Sequence, residues 1–182
     1  MILEKPVPAL TFALWMADND CNNKNTLDSF VFCRCKKWIK SVEDVPGNDE
    51  NENEDGTDST TATVCYYLLP EVVRSTWRRL TSDEIWLYQD GGCLKIHMID
   101  ANGIYSTAVL GSTIRNGEAR YEVLVPAGVW GAAEVMHGGE FTLISCVVAP
   151  GFDWKGLELG HEEELVTSFP HLADVIKYFC KH

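Results

Sequence analysis

Between Asp83 and Pro126 the chain repeats one pattern four times, a short strand-like segment followed by a turn, and that spacing limits the folds open to it. The segments are "DEIWLY" (83–88), "CLKIHMI" (93–99), "IYSTAVLG" (104–111) and "ARYEVLVP" (119–126), separated by "QDGG", "ANG" and "RNGE". Alternation and β-branched or aromatic residues mark the strands, and Gly, Asn and Asp mark the turns. Further strand signals lie in "SFVFCRCKKWI" (29–39), "TATVCYYLL" (61–69) and "EFTLISCVVAP" (140–150). The expectation is an all-β antiparallel barrel or sandwich. Helices are expected only at the ends, over residues 4–16 and in the C-terminal stretch. There Leu172, Val175, Ile176 and Phe179 recur at helical spacing after Pro170.

With 182 residues, 46% of them hydrophobic, one domain with a real core is expected over 1–182. No apolar run approaches a membrane span. The opening "MILEKPVPALTFALWMADND" places Glu4 and Lys5 before its apolar run and has no small-residue cleavage site, so it reads as part of the fold rather than a leader. The formal charge of −12 gives no electrostatic reason to hold nucleic acid. Eight acidic residues and no Lys or Arg fall between Glu43 and Asp58. Composition there favours a solvated loop insertion over 43–60, the alternative being a docking loop for a basic partner. The seven cysteines form no C-x-x-C pair, and several lie in apolar runs. They read as buried small hydrophobes of a reducing, cytoplasmic setting, with Cys33 and Cys35 on one face of their strand.

The strings "YYLLP", "STWRRLTSDEIWLYQDGG", "VPAGVWGAAE" and "VVAPGFDWKGLELG", in that order over residues 61–160, resemble the DUF985 family of small cupins. The resemblance implies a jelly-roll cupin barrel, related in fold to sugar-nucleotide epimerases, and a homodimer. It leaves the reaction open, because cupin barrels host many chemistries. Laid on the general cupin pattern G-x5-H-x-H-x3-E-x6-G ending at Gly91, the glutamate falls on Glu84 and the two histidines on Arg78 and Leu80. In the second pattern, P-x-G-x-x-H, Pro126 and Gly128 match and the histidine position is Gly131. Family members carry histidine where this chain has Arg78, glutamine where it has Gly131, and a His-Pro-Glu-Gly-Gly string where it has "TLDSFVF". Asp28 stands nearest that string's glutamate. A first-row metal needs about three converging lone-pair ligands. One of the four positions supplies such a ligand, and Arg78 brings a permanent cation. No metal and no other cofactor are expected.

Strand alternation puts Glu84, Trp86 and Tyr88 on one face, and Arg78 and Leu80 together on the preceding strand. That set fits a small oxygenated metabolite, anionic or enol-bearing, with Glu84 as base or acid, Arg78 as oxyanion clamp and Tyr88 as second proton donor. Trp86, Leu80, Trp130, Asp153 and Asp28 are the expected substrate contacts. A bland alternative has equal weight: an Arg78–Glu84 ion pair plugging a redundant cavity, with Trp130 as core and Asp153 as a turn cap. His97 shares its face with Lys95 and is expected at a solvent or interface position. Three functions compete: a metal-independent isomerase, epimerase or cyclase; a non-catalytic small-molecule-binding cupin; and an interaction protein using the acidic loop.

Overall fold

The computed structural model describes residues 36–38 and 61–180. Among these, ten strands form two antiparallel sheets. The first has the order β1 (Lys36–Trp38), β2 (Ala62–Pro70), β9 (Phe141–Ala149), β4 (Asp83–Gly91), β7 (Glu122–Val125). The second has β10 (Leu157–Leu159), β3 (Arg74–Leu80), β8 (Trp130–Val135), β5 (Leu94–Ile99), β6 (Tyr105–Leu110). Helices α1 (Glu162–Ser168) and α2 (Ala173–Cys180) follow. The all-β antiparallel architecture with C-terminal helices is therefore the one read from the sequence. The two sheets face each other as a sandwich, and among the described residues no single hydrogen-bonded ladder runs round a closed barrel. The expected 4–16 helix and the acidic stretch 43–60 lie outside the described residues.

Two strands carry too little pattern to be read in advance. "WGAAEV" has small residues in place of β-formers, yet β8 pairs with β3 on one side and β5 on the other. Tertiary pairing overrides its poor local preference. The three-residue β10 exists only because it lines up with β3.

The second sheet is packed on both faces along its middle strands, β3, β8 and β5. Its inner face meets the first sheet through Leu94, Ile96, Leu110, Ala133 and Val135, packed with Tyr67, Leu69, Trp86, Val123 and Ile144. Its outer face carries Trp77, Ile99, Trp130 and Ala132, covered by Leu165, Ile176 and Phe179 of the helices. Trp77 donates from Nε1 to the Ile176 carbonyl at 3.3 Å and meets the Phe179 ring edge-on. The helices thus close a second small core rather than cap an end.

His97 lies under that cover. It shares the outer face with Lys95, as expected, but it is buried beneath Phe179, with ring centroids 4.6 Å apart. Its Nδ1 is 2.6 Å from the Tyr105 hydroxyl. Its Nε2 is 3.4 Å from Glu134 Oε1, close enough for charge attraction but without the alignment of a hydrogen bond. Glu134 in turn accepts from the Tyr178 hydroxyl of α2 at 2.8 Å, and Arg74 stacks on the Tyr178 ring. Burial pushes the His97 imidazole below its ordinary value, opposed by Glu134 and helped by Lys95.

The folded His97 pKa is thus below the unfolded value of about 6.5. Its contribution is fully present above that pH and is lost as pH falls from there toward the folded value. Unfolding free energies from urea titrations between pH 7.5 and 5 should fall with a slope of up to about 1.4 kcal/mol per pH unit from this residue, and His97→Gln should remove that part of the slope.

Candidate functional site

Arg78 reaches the space between the sheets because β3 carries a bulge. Ser75 pairs with Ala133 and Arg78 with Gly131, so three steps along β3 match two along β8. The extra residue turns Ser75 and Arg78 to the same inner face, while Trp77 and Arg79 face outward. Arg78 Nη1 donates to Ser75 Oγ at 3.1 Å, and Nη2 lies 3.4 Å from Glu84 Oε1. The Arg78 side chain is 20% exposed and the Glu84 side chain 9%. The guanidinium carbon sits 5.0 Å from the Trp86 ring centroid and 5.8 Å from that of Tyr67. Burial works against this charge. Glu84, with smaller contributions from Tyr67, Cys146 and Cys65, more than offsets it and holds Arg78 above the ordinary arginine value.

A cavity of about 10 Å³ lies against these groups, lined by Arg78, Leu80, Glu84, Trp86, Val125 and Gly131 among others. That is room for about one water. Pro126 and Val129, at the two ends of one turn, also line the cavity. Gly128, at φ 74°, donates from its backbone to the Leu80 carbonyl, and Ala127 N donates to Asp83 Oδ1 at 2.8 Å. Gly131 leaves space at the second-motif position. A Cβ there would meet Val125 Cγ1 at 3.5 Å and the Arg78 carbonyl at 3.9 Å, which is ordinary contact. One further feature bears on ligands: Trp86 is buried, yet its Nε1 finds no acceptor among the described residues.

The expected site residues divide. Arg78, Leu80, Glu84 and Trp86 come together around the cavity. Tyr88 also points inward, but four residues further along β4 than Glu84, where it borders a separate open cleft of about 530 Å³. Its hydroxyl donates to the Gly91 carbonyl at 2.6 Å, and burial pushes the phenol above its ordinary value. Trp130 lies in the helix-covered core with Arg79 stacked 4.6 Å from its ring centroid. Asp153 is exposed and caps the 154–156 turn by accepting from Lys155 N. Asp28 lies outside the described residues. Sequence reasoning missed Ser75, whose orientation depends on the bulge, and Tyr67, which lies on a distant strand. It also passed over Cys65 and Cys146 as hydrophobes.

The donor set does not suit a metal. Glu84 is the one lone-pair ligand among the four motif positions, and the Arg78 cation occupies the space beside it. No cluster of three or more His, Cys, Asp or Glu suited to a metal ion occurs among the described residues.

Facing antiparallel sheets with motif positions gathered at one mouth define a small cupin. The chain belongs to the cupin superfamily family DUF985, whose model matches residues 35–160. It is similar in structure to a protein from Shewanella oneidensis, at 29% identity and a TM-score of 0.64, over 75% of this chain and 84% of that one. A protein from Leishmania major is similar at 28% identity and a TM-score of 0.63, over 71% and 82%. No curated protein matches the chain. Among the described residues, no helix is long and apolar enough to cross a membrane.

The Arg78–Glu84 pair makes a testable energetic claim. Arg78→Leu alone strands a buried carboxylate and should cost about 3–5 kcal/mol in urea unfolding. The double change with Glu84→Leu should recover most of that loss, because an apolar pair of similar volume needs no desolvation of charge.

Proposed function

We propose that this cupin binds a small anionic metabolite, a carboxylate or enolate, in the Arg78 cavity, and that it does so without a metal. The observation that carries the reading is that a largely buried guanidinium and Trp86 line one cavity, the buried Trp86 indole N–H having no acceptor among the described residues. A buried donor left unpaired costs about 1–3 kcal/mol, which a ligand oxygen would recover. The long 3.4 Å contact to Glu84 leaves Arg78 with donors to spare for such an oxygen. The present cavity admits about one water, so a ligand needs the Pro126–Val129 turn or the adjoining side chains to shift.

Binding is favoured over isomerase, epimerase or cyclase chemistry because those reactions need a second proton carrier. Tyr88 was the group expected to serve, and its hydroxyl is spent on Gly91 at the other cleft. Glu84 has no second carboxylate, imidazole or phenol beside it in the lining of this cavity. The acidic loop has composition alone behind it as a docking element.

Calorimetric titration with a panel of two- to four-carbon carboxylates, together with native mass spectrometry of the purified protein, tests the reading. Arg78→Leu should weaken binding of a responding acid by about 2–5 kcal/mol, while Glu84→Gln should preserve or tighten it. Incorporation of solvent deuterium into a bound ligand, lost in Glu84→Gln with affinity spared, would replace the binding reading with the isomerase one.

The homodimer has its own support. Tyr66, Ile85 and Leu124 stand exposed on the outer face of the first sheet, with Ile85 paired to Leu124 across β4 and β7. An apolar sheet face of this kind suits a second copy. Light scattering at micromolar concentration should give twice the chain mass, and Ile85→Lys with Leu124→Lys should return a monomer.

A further inference from the structure

Cys65 on β2 and Cys146 on β9 are direct partners in the antiparallel ladder. Both face the inter-sheet core, with Tyr67 and Ile144 as the next inward pair along the same strands. The bond from Glu71 N to the Glu140 carbonyl fixes the phase of the ladder just beyond the Pro70–Phe141 pair. Counting back in steps of two makes Cys65–Cys146 a hydrogen-bonded pair, whose Cα atoms lie about 5.5 Å apart. That is the commonest separation across a disulfide, about 5.5–6 Å. The Cys65 thiol hydrogen-bonds that of Cys146. Trp86 is the next residue in the same row on β4, and the Arg78 charge is felt at both sulfurs.

The two thiols differ in character. Cys146 is buried and Cys65 is partly exposed. The hydrogen bond from Cys65 pulls the Cys146 thiol down, but burial and the adjacent Glu84 outweigh it, and the group sits above its ordinary value. Cys65 is therefore the sulfur an oxidant reaches, and Cys146 the one that follows.

We propose that Cys65 and Cys146 form a reversible cross-strand disulfide in the row beside Glu84, closed by peroxide-class oxidants. The Cys65 sulfur attacks one peroxide oxygen. The O–O bond breaks, giving a sulfenic acid and a first molecule of water. The Cys146 sulfur then attacks the Cys65 sulfur. The S–S bond forms, the S–O bond breaks, and hydroxide leaves with the thiol proton as a second water. Two electrons pass from the pair to the peroxide, and a dithiol returns them. The bridge removes the thiol that Cys146 sets against Glu84, leaving the carboxylate to Arg78. Any effect on ligand affinity rests on the binding reading above, whereas the bridge itself does not.

The full chain is treated with hydrogen peroxide, the remaining thiols are alkylated, and the protein is digested without reduction for mass spectrometry. The expected result is a peptide pair joined through Cys65 and Cys146, lost on treatment with dithiothreitol. It should be absent in Cys65→Ser, which accumulates no bridge to Cys146, and in Cys146→Ser, which traps Cys65 in sulfenic or higher oxidation states. Cys65→Ser, at the less buried position, serves alone where Cys146→Ser does not fold. Recovery of both cysteines alkylated, or bridged to other cysteines, overturns the proposal. A Cys65–Cys146 bridge in protein that binds no carboxylate upholds it while refuting the binding reading, so the two fail separately.

Discussion

A guanidinium placed between two sheets must be neutralised where it stands, and the inner architecture follows from that requirement. Arg78 cannot shed its proton as a lysine or histidine would when buried. Glu84 supplies the countercharge, Ser75 accepts one N–H, and the faces of Trp86 and Tyr67 supply π-density on either side. Four residues on three strands, β2, β3 and β4, therefore answer to one side chain. Where a cupin of the general pattern gathers lone pairs around a cation it takes from solution, this chain has built the cation into β3.

The bulge that delivers Arg78 also sets the other face of the same sheet. By turning Ser75 and Arg78 inward it leaves Trp77 outward, where it anchors the helices through Ile176 and Phe179. Cavity and helix cover are thus coupled through a single strand. Helix α2 packs on the strand that carries Arg78, and His97, Glu134 and Tyr178 form the polar seam of that contact. Sheets buried on both sides behave as cores rather than as surfaces.

The first sheet is organised differently. Its inner face presents rows that run straight across strands, Cys65–Cys146–Trp86–Val123 in one and Thr63–Val148–Glu84–Val125 in the next. The acid and the thiols are neighbours in space because the rows are neighbours in register. Tyr88 belongs to the row beyond, with Tyr67 and Ile144, and the β4 irregularity after it turns the strand toward the wide cleft. Two rows of offset, with the Cys65–Cys146–Trp86 row between, separate a phenol that would have completed an acid–base set from the carboxylate it would have served.

The sequence by itself determined the strand-and-turn architecture, the C-terminal helix with its apolar face, and the inward direction of Glu84 and Trp86. Those features follow from periodicity and local turn chemistry, and the motif strings point to the family. It also determined that Arg78 stands where a ligand belongs, since spacing along one chain fixes that. Only the tertiary structure decided that Ser75 faces Arg78, that Trp130 packs under the helices, that Tyr88 serves a different cleft and that Cys65 meets Cys146. Each of these depends on a bulge, a register or a pairing between strands distant in sequence. A single shift of phase in any of them moves a side chain to the other face of its sheet, and nothing in the local run of residues records where that shift occurs.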